Sequence, residues 1–105
     1  MDFALHVQGR ADGGTAIAVR GDLDYATTAR FLECIDRTLQ QSPATLYIDL
    51  RLTTFLDSGG IAAHVTAHKG AARAGIRLIV EHPMSAIHRV LHLTGLTNLL
   101  GLPPL

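Results

Sequence analysis

Two short, uninterrupted runs rich in β-branched and aromatic residues, Thr45–Leu50 (TLYIDL) and Ile76–Val80 (IRLIV), set the frame into which this chain must fold. Both are too short for a helix and contain no glycine or proline, so they read as strands. Thr45–Leu50 is expected to be buried on both faces, as inside a parallel or mixed sheet.

The stretches around these runs have a different period. Phe31, Ile35 and Leu39, with Leu32 and Cys34, recur at the spacing of one helix face behind Thr27 or Thr28, either of which can cap a helix running to about Gln41; Ser42-Pro43 ends it. A second helix runs from Ser58-Gly59-Gly60 through Ala74. Its expected inner face is Ile61, Val65 and Ala72 with Ala62 and Ala71, and Gly75 stands where a C-cap glycine belongs. Pro83 begins a third helix carrying Ile87, Val90, Leu91 and Thr94; Gly95 stops it, and Leu96–Leu100 closes the chain with a short apolar segment. At the other end, Leu5 and Val7, then Ile17 and Val19, alternate on either side of Asp12-Gly13-Gly14, the pattern of a hairpin. Gly21-Asp22-Leu23-Asp24 reads as a polar loop closing the second strand, and Thr53–Asp57 as a second loop. The order β-β-α-β-α-β-α predicts an α/β fold, one domain over residues 1–105, with helices packed on a mixed central β-sheet.

Composition narrows the function. Apolar residues make up 48% of the chain, enough for a core, so disorder is not expected. Nine basic residues balance nine acidic ones and no lysine-rich tract exists, which argues against direct nucleic-acid binding. Cys34 is the single cysteine; it reads as a half-buried packing residue, excludes an internal disulfide and fits a reducing, cytoplasmic setting. The opening MDFALHVQGR lacks the charged start and continuous apolar core of a signal peptide. No apolar run approaches the roughly 18 residues that span a bilayer, so no membrane insertion is expected.

Chemistry is concentrated in Asp57-Ser58-Gly59-Gly60, where a loop opens a helix. Free amides at a helix start attract negative charge, and glycines there let the backbone approach another molecule closely. By local physics alone, Ser58 is the N-cap. His64 and His68, and His88 and His92, are each four apart on a helix, a spacing that suits a metal. No glutamate completes a His-Glu-x-x-His pattern, so they read as partly exposed polar positions; neither metal nor cofactor is expected. A Ser-His-Asp set drawn from Ser58, His64 or His88, and Asp22 lacks the Gly-x-Ser-x-Gly elbow around Ser58, and no catalytic residue is expected.

The run Asp49-Leu50 … Phe55-Leu56-Asp57-Ser58-Gly59-Gly60 resembles the signature of STAS domains, the sulfate-transporter and anti-sigma-factor-antagonist family. Three further stretches resemble the family in the same order. Gly21-Asp22-Leu23-Asp24 is similar to its early Gly-Glu-Leu-Asp loop, Ala74-Gly75-Ile76-Arg77-Leu78 to its glycine-led fourth strand, and Val90–Leu96 to its Leu-Thr-Gly-Leu end. The similarity runs from Leu5 to Leu102. It implies an anti-sigma factor antagonist: unphosphorylated, it binds an anti-sigma factor with serine kinase activity and frees a sigma factor; phosphorylation ends binding and a serine phosphatase resets it. Carried over by position, Ser58 is the phosphoacceptor and Asp57 the acid beside it. Asp22 and Asp24 join Asp57, Ser58, Gly59 and Gly60 at the partner surface. Gly59 stands where the family usually has a second hydroxyl. Two other functions fit the same resemblance: a constitutive adaptor, such as a regulatory subunit of a membrane transport complex, and a small-ligand or nucleotide-binding sensor using the Ser58-Gly59-Gly60 helix start.

Overall fold

A computed structural model of the protein describes residues 2–103 and Leu105. The alternating N-terminal segments form the expected hairpin of β1 (Ala4–Gly9) and β2 (Thr15–Leu23), antiparallel, with Leu5 opposite Val19 and Val7 opposite Ile17. Six elements follow: α1 (Thr28–Gln40), β3 (Thr45–Asp49), β4 (Thr53–Leu56), α2 (Ser58–Arg73), β5 (Arg77–Glu81) and α3 (Ser85–Leu93). The sheet runs β1-β2-β3-β5. Pairing from β2 to β3 to β5 is parallel, so the sheet is mixed as expected.

The core lies between one sheet face and the helices. Ile17, Val19, Leu46, Ile48, Leu78 and Val80 meet Phe31 and Ile35 of α1, Ala63, Ala67 and Ala71 of α2, and Ile87 and Leu91 of α3. Cys34 belongs to this core and is buried rather than half-buried; the loss of solvent pushes its thiol pKa up, which suits packing and not reactivity. Helix ends follow the glycines. Gly75 takes φ +71°, its amide donates to Ala72 O and that of Ile76 to Ala71 O, a paired C-terminal closure that Gly95 and Leu96 repeat behind α3. The closing segment docks Leu100 in the core, its carbonyl accepting the Val80 amide at 2.8 Å.

Four expectations are corrected. First, β3 is covered on one face only: Leu46 and Ile48 are buried, while Thr45, Tyr47 and Asp49 stand partly exposed. The outer face is instead polar. Tyr47 donates its hydroxyl to Asp12 at 2.8 Å, the Arg10 guanidinium lies 4.1 Å from its ring centroid, and Arg10 pairs with Glu81. Hydrogen bonds from Gly14 and Tyr47 hold the Asp12 carboxyl below its usual pKa. Second, Thr53–Leu56 is a strand, not a loop. It pairs in parallel with an extension of β2, so Gly21-Asp22-Leu23 is strand as well and the turn begins only at Asp24. Burial drives this: Leu23, Thr53 and Leu56 are all enclosed, and the Thr53 hydroxyl donates to Val19 O at 2.7 Å. Third, α2 is rotated from the expected face. Gly60, Ala63, His64, Ala67 and Ala71 point inward, while Ile61 and Val65 lie at the margin. Small residues let α2 approach the sheet and α1 closely, which the larger side chains would prevent. Fourth, α3 starts at Ser85, two residues beyond Pro83.

Candidate functional site

The parallel pairing of β2 with β4 builds the site. It sets Asp22 beside Phe55 and Leu23 beside Leu56, so the turn after β2 lies next to the start of α2. The turn holds itself together. The Asp24 carbonyl accepts the amides of Thr27 and Thr28, each at 3.0 Å, and its carboxylate accepts the Ala26 amide at 3.0 Å. Thr27 precedes the first residue of α1, yet its side chain does not cap that helix. It accepts the Asp24 amide at 3.0 Å and donates back to Asp22 O at 2.9 Å. Asp22 in turn accepts the Thr54 hydroxyl at 2.8 Å.

Asp57, not Ser58, is the N-cap of α2. One carboxylate oxygen accepts the Gly60 amide at 2.9 Å, and the other accepts the Tyr25 amide at 3.3 Å. Both residues are competent caps, but only an extended residue at 57 sees the cap amide and the Tyr25 amide together. Ser58 is thereby released. It occupies the first helical position, is exposed, and its hydroxyl makes no hydrogen bond among the described residues. An added phosphoryl group would have free space and the positive end of α2 beside it.

The glycines make room for the chain itself. A Cβ on Gly59 would lie 3.0 Å from the Cα, Cβ and N of Tyr25, and one on Gly60 would lie 2.3 Å from Leu23 O. The space that glycine opens is filled by the β2–α1 turn. Gly60 is buried and so lies beneath the exposed face, whereas Asp22 and Ser58 are exposed and Asp24, Asp57 and Gly59 partly so.

Two aromatic residues to which the sequence reading gave no role share this face: Tyr25, 82% exposed, and Phe55, 50% exposed. Their signal was available, since each is an isolated aromatic in a polar or turn-forming segment. The two members of each histidine pair differ in burial. His64 is fully buried against Phe31, ring centroids 5.3 Å apart, instead of partly exposed; α2 faces the core at that turn. Its Nδ1 lies 2.9 Å from Gly60 O. His88 Nε2 donates to Pro103 O at 2.7 Å. Among the described residues no three metal-ligating side chains converge. A groove of about 280 Å³ lined by Val7, Thr15, Cys34, Arg37, Thr38 and Gln41 lies toward the C-terminal end of α1 and shares no residue with the Ser58 face. No helix among the described residues is long and apolar enough to cross a membrane.

Known proteins resemble this arrangement. The family model of the STAS domain matches residues 4–104. An anti-sigma-B factor antagonist of Listeria monocytogenes is 23% identical over 100 residues, covering 95% of this chain and 88% of the relative. The crystal structure of an anti-sigma factor antagonist from Mycobacterium paratuberculosis superposes with a TM-score of 0.80 at 26% identity, covering 99% of this chain and 87% of the other. The anti-sigma factor antagonist SpoIIAA in its unphosphorylated form gives 0.77 at 19% identity, covering 90% and 84%. The phosphorylated form of the Bacillus SpoIIAA gives 0.70 at 19% identity, covering 90% and 86%.

Proposed function

The chain belongs to the STAS domain family, and from that membership we propose that it is an anti-sigma factor antagonist switched by phosphorylation of Ser58. The observation that carries this is the division of labour at the start of α2: Asp57 holds the cap, and the Ser58 hydroxyl is left exposed. The names of its relatives support the antagonist role, and SpoIIAA, which shares the fold, exists in both phosphorylated and unphosphorylated forms.

In this reading residues 1–105 act as one unit in the cytoplasm and perform no chemistry. The unmodified face of Asp22, Asp24, Asp57, Ser58 and Gly59, supported from below by Gly60, binds an anti-sigma factor that is also a serine kinase, and a sigma factor is freed. A kinase must bring its nucleotide phosphates up to the Ser58 oxygen, so the group facing Ser58 in the complex is itself anionic. After transfer, Ser58 carries about −1.5 to −2 charges against that nucleotide and beside Asp57. Within a closed interface the charge is desolvated and unscreened, and the complex separates. A serine phosphatase then restores the binding form.

The alternative acceptors nearby are poorly placed. Thr53 is buried with its hydroxyl on Val19 O, and the Thr54 hydroxyl is held by Asp22. Incubation with the cognate kinase and ATP, followed by mass spectrometry, is expected to place a single phosphate on Ser58. Ser58→Ala should keep partner binding and resist modification, and Ser58→Asp should bind more weakly. Stoichiometric phosphate on Thr53, Thr54 or elsewhere, with Ser58 bare, defeats the assignment.

A further inference from the structure

We propose that Tyr25 is the anchor of this face, its ring inserting into an apolar recess of the partner, and that lysine or arginine side chains rim that recess. The proposal rests on the reading of Ser58 as the switch of a partner-binding surface and adds what that surface grips.

The chain has five aromatic residues, three of which are satisfied internally. Phe31 is in the core, Phe3 lies under Arg30 at 5.0 Å and Tyr47 under Arg10 at 4.1 Å. Phe55 is half exposed, and Tyr25 stands out furthest at 82% exposed. Yet the Tyr25 backbone is tightly held. Its amide donates to Asp57, its carbonyl accepts the Thr28 hydroxyl at 3.3 Å, and its Cα and Cβ lie against Gly59, where a Cβ would be crowded at 3.0 Å. An exposed ring on a fixed stem loses little freedom on docking, and tyrosine is among the residues that dominate interface energies. Gly59 has a defined part here: the absence of a Cβ is what lets the stem of Tyr25 stand beside the Ser58 helix.

Charge identifies the rim. The chain as a whole is neutral, with nine basic and nine acidic residues. Segments 21–28 and 52–63, which build this face, hold Asp22, Asp24 and Asp57 and neither lysine nor arginine. A face that is locally anionic around an aromatic knob is complementary to an apolar recess with a cationic edge. Phe55, beside Asp22 in the β2–β4 ladder, extends the apolar contact on the same side.

The chain contains no tryptophan, so Tyr25→Trp introduces a single indole, which can be excited selectively, at the proposed anchor. The probe is the anti-sigma factor kinase that phosphorylates Ser58, purified with ADP bound. Adding it is expected to shift the emission of the introduced indole to the blue. Tyr25→Ala should weaken binding by about 30-fold or more, the size that marks an anchor, whereas Tyr25→Phe keeps most of the affinity. Unfolding midpoints of both variants should match the parent, because the ring makes few internal contacts. Asp22→Asn keeps an acceptor for Thr54 and removes a charge; it should lower the association rate at low salt and lose that effect at high salt. If Tyr25→Ala binds the kinase as the parent does and Ser58 is still phosphorylated, the anchor is wrong while the switch stands. A blue shift that grows with protein concentration in the absence of kinase means a second copy of this chain covers the ring, and the proposal fails. If the kinase neither binds nor phosphorylates the parent chain, the switch and the anchor fall together.

Discussion

Gly60 and Leu23 meet backbone to backbone: a Cβ on Gly60 would lie 2.3 Å from the Leu23 carbonyl oxygen and 2.6 Å from Leu56 Cδ1. The first turn of α2 therefore rests directly on the end of β2, and this contact fixes where Ser58 is presented.

Alanine normally improves a helical glycine position by about 1 kcal/mol. At Gly60 the obstacle is a backbone carbonyl that cannot rotate away, so overpacking dominates, and Gly60→Ala is expected to destabilise by about 2 kcal/mol. Gly70 in the same helix is the control. Its Cβ would meet only Leu39 Cδ1 at 3.6 Å, and Gly70→Ala should stabilise by about 0.5–1 kcal/mol. Urea unfolding measures both. Equal shifts of the same sign would remove the steric argument.

Asp57 ties α2 to the β2–α1 turn through its two carboxylate oxygens. Losing a cap of this type costs about 1 kcal/mol, and loss of the Tyr25 tether adds to it. Asp57→Ala should lower the unfolding midpoint and speed amide exchange at both Gly60 and Tyr25. Asp57→Asn keeps a single acceptor oxygen, so it should recover the Gly60 cap but not the Tyr25 tether. Faster exchange at Gly60 alone would show that the tether carries no energy.

Much of this architecture is local in origin and was legible from sequence. The hairpin, α1, and the helix stops at Gly75 and Gly95 follow from alternation, helical spacing and the left-handed preference of glycine. What was missed depends on contacts distant in sequence. Thr53–Leu56 carries no alternation, because its buried positions are its two ends, and it becomes a strand only through β2, some thirty residues earlier. Apart from His64, the inner face of α2 is made of alanine and glycine, which leave a weak periodic signal, while the larger Ile61 and Val65 lie at its margin. Asp57 and Ser58 are equally good caps by residue type. The Tyr25 amide breaks the tie, and no local pattern contains it. The assignment of Ser58 rests on resemblance, and the capping by Asp57 gives a physical reason why the Ser58 hydroxyl is free.

His64 makes the core sensitive to acid. The ring is fully buried, with Nδ1 donating to Gly60 O and Nε2 without a partner among the described residues, the arrangement of a neutral imidazole. Burial holds its pKa below 6.5, opposed by the Gly60 carbonyl. The unfolded chain therefore binds this proton more readily than the folded one. Stability from His64 is present above about pH 6.5 and declines below it by up to about 1.4 kcal/mol per pH unit, until the folded value is passed. Urea midpoints between pH 7.5 and 5 test this, with His64→Met expected to flatten the decline. A profile unchanged by that substitution would assign the acid sensitivity elsewhere.

Phosphorylation of Ser58 should block the partner without unfolding α2. Ser58 is the first helical residue, outside the cap and exposed, so a phosphate there displaces no existing contact. The positive end of the helix favours an anion at this position by about 0.3–1 kcal/mol. Asp57 repels it, but its carboxylate is already committed to two amides, and the high dielectric of water holds the repulsion of two unit charges about 4 Å apart to about 1 kcal/mol. The two effects nearly cancel within the free domain, and its thermal midpoint should move by less than about 4 °C, the shift that 1 kcal/mol produces in a domain of this size. In the complex the cancellation is lost, because burial removes the screening water and brings the nucleotide phosphates opposite. Amide exchange across Ser58–Arg73 should therefore be alike in the phosphorylated and unmodified chains, while partner affinity collapses. Loss of exchange protection along α2 on phosphorylation would make the switch an order-to-disorder transition and refute the account of charge acting at the interface.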